Sequence, residues 1–323
     1  MVSRRGFALV LLTLPLAVRA QPAGRVARLG FVFRNAAAQT LPLLLDAFRQ
    51  GLAERGWVEG ANAAFDVRYG GSDDQVTLAV ADLIAAKVDI VVATSSAVTW
   101  AAKMATRTIP IVMTASSDAV GEGLVASLAR PGGNVTGMTF LVGPEIASKQ
   151  LQLLKELVPS ASRVAVLANP TNRSHRAYVI DLKAHASGVL LQEMEVSKAD
   201  QLEPAFAAMA GARADALLVL TDSMFLGQRQ RIVELATQRR LPALYSQREY
   251  VDAGGLASYG PSLMEMSRRA ATHADKILRG TKPGDIPVEQ PTKFELVVNL
   301  KSAQAIGLSP PKSLRLRADQ LIE

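Results

Sequence analysis

The chain alternates short apolar runs with amphipathic stretches, and it does so twice. Residues 26–33 (VARLGFVF) read as a buried strand, and 41–55 follow with helical spacing that ends at Gly56. Residues 64–69 are strand-like, 75–87 helical, 88–93 (VDIVVA) strand-like, 98–106 helical and 109–114 (IPIVMT) strand-like. Apolar runs this short, bounded by Gly, Pro or Ser and separated by helices, predict βαβ units and a parallel sheet. The turn cluster Pro131-Gly132-Gly133-Asn134 then interrupts the pattern, and 135–141 form a strand-like bridge.

After the bridge the pattern restarts. Residues 145–157 are helical up to Pro159, and 163–168 (RVAVLA) open a second sheet. A helix to about residue 186 follows, then strand 189–196, helix 202–210, strand 214–220, helix 228–239 and strand 243–245. The end differs. Residues 254–260 (GGLASYG) read as a return crossing and 263–279 as a long helix. Residues 286–290 and 294–299 are extended, and 303–307 close a last helix. The expectation is two Rossmann-like α/β lobes. The first spans 26–139 plus about 257–285, and the second 140–256 plus about 286–323. Three crossings near 139–144, 254–259 and 285–290 would form a hinge. No unit of 20–50 residues repeats, which excludes a solenoid.

The first twenty residues carry a separate message. Ser3-Arg4-Arg5-Gly6-Phe7 is a basic start, 8–17 are almost wholly apolar, and Val18-Arg19-Ala20 sets small residues before Gln21. That is a signal peptide cleaved after Ala20, with an apolar run too short to span a bilayer. The expected location is the periplasm. The twin arginine leaves the twin-arginine and general secretory routes both open. Arg4, Arg5 and Arg19 account for three of the +7 net charge, leaving +4 on the remaining 303 residues. That mild bias, with no basic block, argues against nucleic-acid binding. With no cysteine there is no disulfide, no thiol chemistry and no lipid anchor on a cysteine.

Residues with catalytic or metal-binding chemistry form no recognisable set in the sequence. His175, His185 and His273 lack partners at metal-ligand spacing and read as surface or hydrogen-bonded histidines. No nucleophile elbow and no Walker run are present. Residues 121–126 (GEGLVA) match a dinucleotide pattern, but after the fourth strand rather than the first. No cofactor or metal is expected.

Strand ends are more informative, because parallel α/β sheets bind ligands beyond their carboxyl ends. The first lobe offers Arg34 and Asn35, then Thr94, Ser95 and Ser96, then Ser116, Ser117 and Asp118. The second offers Asn169, Thr171 and Asn172, then Asp222 and Ser223, then Tyr245 and Ser246, with Tyr259 in the return stretch. Hydroxyl residues opening a helix suit a carboxylate, and Asp118 or Asp222 could take an ammonium group. Each such residue is also an ordinary helix cap; the cluster across both lobes favours ligand binding.

Residues 108–139 (TIPIVMTASSDAVGEGLVASLARPGGNVTGMT) resemble the substrate-binding components of ABC transporters of the tryptophan/phenylalanine-binding type. So do 48–60 (FRQGLAERGWVEG), 248–261 (REYVDAGGLASYGP), 288–299 (VEQPTKFELVVN) and 316–323 (LRADQLIE). The resemblance implies a type I periplasmic-binding fold with two lobes, three crossings and a small solute closed between them. It also implies a monomer that delivers an amino acid or related carboxylate to a membrane permease. Arg34 departs from the small-residue loop such a protein would have after its first strand. A sensor docking on a membrane receptor, and an exported enzyme of the same architecture, are the competing classes.

Overall fold

The computed structural model describes residues 26–34, 40–140, 144–186 and 188–323. The predicted N-terminal signal and Asn35 lie outside these described residues. The first sheet is built from β1 (Ala27–Arg34), β2 (Ala63–Gly70), β3 (Ile90–Ala93), β4 (Ile111–Ser116) and β5 (Val135–Thr139). Its order is β2-β1-β3-β4-β5, and every neighbouring pair is parallel. The bridging stretch 135–141 is therefore a fifth strand of this sheet. Between the strands run α1 (Thr40–Ala53), α2 (Asp73–Ala85) and α3 (Ser96–Ala105).

In α1, Leu44, Leu45, Phe48 and Leu52 recur at helical spacing and are buried together against β1. Full burial of each such side chain contributes about 1.5–3 kcal/mol. Helix α2 starts at Ser72, whose side chain accepts the Gln75 N–H, with Asp73 and Asp74 at the positive end of its dipole. Helices α2 and α3 cover the opposite face of the sheet through Val76, Val80, Leu83, Val98 and Ala102.

The second sheet uses β6 (Arg163–Ala168), β7 (Leu190–Glu195), β8 (Ala216–Val219), β9 (Ala243–Tyr245), β10 (Ala257–Gly260), β11 (Glu295–Asn299) and β12 (Gln320–Ile322). Its order is β12-β11-β10-β9-β8-β6-β7, with only the β10–β11 pair antiparallel. Helices α4 (Pro144–Leu157) and α5 (Arg173–His185) pack on one face. Helices α6 (Leu202–Gly211), α7 (Ser223–Gly227), α8 (Arg229–Gln238) and α9 (Arg248–Asp252) lie on the other. Helix α10 (Leu263–Leu278) returns to the first lobe; α11 (Leu300–Ala305) and α12 (Lys312–Arg317) stay with the second.

Two expectations are corrected. Residues 257–260, assigned to the first lobe, form β10 and pair with β9 and β11 of the second sheet. The chain crosses only after Gly260, where a side chain would collide with the Ser246 carbonyl: a Cβ would sit 1.8 Å from that oxygen. Helix α10 is then tied to the first lobe by Ser267 Oγ donating to the Leu44 carbonyl and Trp57 Nε1 donating to Asp275. The last helix, expected at 303–307, begins at Leu300, and a further helix and strand follow it. The third passage runs beside β5, where Glu289 N–H donates to the Gly137 carbonyl, before entering β11.

Candidate functional site

The carboxyl ends of both parallel sheets border one cleft of about 600 Å³, within the usual range for small-molecule sites. Of the strand-end residues singled out from the sequence, ten line it. Arg34, Thr94, Ser95, Ser96 and Ser117 come from the first lobe; Asn169, Thr171, Asn172, Asp222 and Ser223 come from the second.

On the first wall, Ser95 caps α3 by accepting the Val98 N–H, and Ser96 Oγ accepts the Ser117 N–H at 2.9 Å. Thr94 Oγ1 donates to the Val32 carbonyl. The α3 N-terminus and the β4 end are thus joined into one hydroxyl-rich surface. The leading N–H groups of a helix have no acceptor within the helix, and its dipole favours an anion there. Arg34 stands at the rim, ion-paired with Asp73 of α2.

The second wall is a hydrogen-bonded knot. Asp222 Oδ1 accepts the N–H groups of Met224 and Phe225, and Oδ2 accepts from the Asn169 and Asn172 carboxamides at 3.2 and 3.0 Å. Asn169 Oδ1 in turn accepts from the backbone and hydroxyl of Thr171. His175 is buried behind this wall. Its Nδ1 accepts the Asn169 N–H at 2.8 Å, which leaves Nε2 to donate to the Thr221 carbonyl at 2.9 Å. Burial holds its pKa below the usual histidine value. It is a strut between two strand ends.

Five predicted contacts do not reach the cleft wall. Tyr245 lies on the face of β9 that meets α6 and α8. Its ring stacks on Tyr250 at 4.7 Å, and it is 1% exposed, since alternation along the strand turns it into the core. Ser246 Oγ donates to the Val219 carbonyl and sits with Gln150 beside a small inner cavity. Tyr259 stacks on Phe294, and Ser116 is enclosed where the end of β4 pairs with Thr139 of β5. Asp118 Oδ1 accepts the Gly121 N–H and closes its own loop, and Asp118 is not part of the cleft lining.

Among the cleft residues that the strand-end reading does not reach are Trp100, Glu122, Arg173 and Gln247. Glu122 lies in the loop that follows β4, four residues past Asp118. It is 4% exposed, and neither of its oxygens has a hydrogen-bond partner among the described residues. Burial pushes its pKa up to about 7; the neighbouring Ser96 hydroxyl and the Asp118 backbone ease the charge only in part. Trp100 projects from α3, and the Arg173 guanidinium of α5 sits 4.4 Å from its ring centre, a contact that spans the cleft. Among the described residues no group of three His, Cys, Asp or Glu side chains is placed to hold a metal ion, and no helix is long and apolar enough to cross a membrane.

Known structures share this arrangement. A Streptococcus pneumonia ABC domain in complex with L-Trp superposes with a TM-score of 0.85 at 27% identity, covering 92% of this chain and all of that one. A ligand-free, open substrate-binding protein from Clostridium difficile, at 26% identity and 92% and 99% coverage, gives only 0.66. A tyrosine-binding protein from Clostridioides difficile (strain R20291) is 29% identical over 277 residues, spanning 85% of this chain and 78% of the relative. More distant solved structures, such as a leucine-binding protein from Thermotoga maritima at 13% identity and a TM-score of 0.61, share the two-lobed fold. The sequence model for the ABC transporter substrate binding proteins matches residues 37–322, nearly all of the described chain, and the protein belongs to that family.

Proposed function

We propose that this protein is exported, with cleavage after Ala20, and captures a small molecule, an amino acid or related carboxylate, between its lobes for delivery to an ABC permease. One observation carries the reading. A single cleft is lined from both lobes at the strand carboxyl ends, with hydroxyls and a helix N-terminus on one wall and a carboxamide-rich knot on the other. The solute carboxylate would lie at the start of α3, against Ser95, Ser96 and Ser117. Phe33, Leu44, Trp100, Phe140 and Leu226 supply apolar surface for its side chain. The relatives that bind L-Trp and tyrosine support an amino acid with an aromatic or large apolar side chain.

The test is a thermal-shift panel of the twenty L-amino acids on the mature protein. A true ligand stabilises by mass action, by about 2.7 kcal/mol at one hundred times its dissociation constant. We expect one or a few aromatic or large aliphatic members to raise Tm in a concentration-dependent way and to be recovered unchanged. Conversion of the stabilising solute to a product would favour an exported enzyme.

A further inference from the structure

Three acids line the cleft, and two are already engaged. Asp73 is ion-paired with Arg34. Asp222 receives four hydrogen bonds, two on each oxygen, which fills the roughly four acceptor sites of a carboxylate. Glu122 is the third, buried at 4% exposure; the Ser96 hydroxyl and the Asp118 backbone lie near it, but neither of its oxygens is in a well-formed hydrogen bond among the described residues. A buried charged group left so costs stability, and it is retained most readily where a ligand completes it.

The loop is built to hold this side chain in place. Asp118 accepts the Gly121 N–H with its side chain and the Glu122 N–H with its carbonyl. Gly123, at φ +73°, turns the chain back so that Leu124 and Val125 donate to the Ala119 carbonyl. Lys103 of α3 clamps the loop from outside, its ammonium donating to the Gly123 and Leu124 carbonyls at 2.6 and 2.9 Å. Glu122 is thereby fixed on the same wall as Ser96 and Ser117.

We propose that Glu122 receives the ammonium group of the captured solute and so selects zwitterionic amino acids over plain carboxylates. This rests on the amino-acid reading of the cleft above. In an α-amino acid one carbon separates ammonium from carboxylate, so one wall can hold both: the carboxylate at the α3 N-terminus, the ammonium on Glu122. The role anticipated for Asp118 or Asp222 passes to Glu122, because Asp222 has its acceptor sites filled within the protein and Asp118 lies outside the cleft lining, its Oδ1 turned to the Gly121 N–H. The other charges facing Glu122 are Asp118 in its own loop and Arg173 from α5. The Lys103 ammonium is engaged by the loop backbone. Burial leaves Glu122 partly protonated near neutrality, and an arriving ammonium favours its ionised form. Binding therefore releases a proton, and affinity rises as pH climbs through about 7.

The test compares L-tryptophan, L-tyrosine and L-leucine with their counterparts lacking the amino group: indole-3-propionate, 3-(4-hydroxyphenyl)propionate and 4-methylpentanoate. Titration calorimetry is run on the wild type and Glu122→Gln. We expect Glu122→Gln to weaken amino-acid binding at least tenfold, to leave the deaminated acids unchanged, and to melt no lower than the wild type without ligand. Equal binding of both ligand sets, unaffected by Glu122→Gln, would overturn the Glu122 role and leave carboxylate capture standing. Binding of tryptamine, lost in Glu122→Gln, would support Glu122 and overturn the carboxylate anchor. Calorimetry of the wild type at pH 7 in two buffers of different ionisation enthalpy needs no variant. Proton release supports the assignment, and uptake or no exchange contradicts it.

Discussion

At the scale of single residues, the two glutamates that burial pushes up to about 7 separate into different roles. Glu122 opens on the cleft, whereas Glu249 of α9 is enclosed in the second lobe, 4% exposed and with both oxygens unpartnered among the described residues. The sign of the linkage follows from the direction of its shift. Between about 4.5, its ordinary value, and about 7, the native state keeps a proton that the unfolded chain has lost, so stability falls as pH rises through that window. The loss is complete above 7. At about 1.4 kcal/mol per pH unit it amounts to roughly 3 kcal/mol. Glu249→Gln should therefore raise Tm at pH 8, with the gain shrinking to nothing toward pH 4.5. A gain of equal size at both ends of that range would mean that ionisation of Glu249 is not the cause.

At the scale of elements, the unit that shapes the site is α3 together with the loop after β4. Gly123 is its pivot. No atom lies within 4 Å of where its Cβ would be, so a substitution there acts through the left-handed backbone alone. Gly123→Ala should cost about 1–2 kcal/mol in urea unfolding, and Gly123→Asn less, because Asn tolerates that conformation. Equal stability of both variants and the wild type would show that the loop has no need of this turn. The same element shows where the sequence stops being legible. Periods of 2 and 3.6 residues located β1 to β4, β6 to β9 and the longer helices, since buried runs of this kind carry their own signal. Residues 257–260 were misassigned because a four-residue stretch that ends in glycine looks alike as a crossing or a strand, and only pairing with β9 and β11 decides. The short elements α7, α9 and β12 have too few residues to show a period. In the site, residues directly after strands were found, but Tyr245 was included although it turns inward. Glu122 was missed because the loop after β4, closed by Asp118 and Gly123, delivers it to the cleft. Trp100 was missed for a related reason: it reaches the cleft from the interior of α3, not from a strand end.

At the scale of the whole molecule, the question is what holds two lobes together across a cleft. The lobes are joined by the stretch after β5, by the step from β10 to α10 and by the segment leading into β11. Across the cleft itself, Arg173 lies over Trp100. A contact of that kind contributes about 0.5–2 kcal/mol. Moving a two-state equilibrium from 1:99 to 99:1 takes about 5.5 kcal/mol. The Arg173–Trp100 contact can therefore bias the lobes toward each other but cannot close them alone. The remainder has to come from a solute that touches both walls in the closed state, because only differential contact shifts such an equilibrium. Small-angle scattering should accordingly give a smaller radius of gyration at saturating solute than without it. Trp100→Ala, which removes this contact together with apolar surface facing the solute, should leave the bound value in place while weakening affinity by at least the roughly 2- to 30-fold that matches 0.5–2 kcal/mol. An unchanged radius of gyration on binding, with full affinity retained in Trp100→Ala, would describe a rigid preformed pocket. A permease could not then tell the loaded protein from the empty one by the spacing of its lobes.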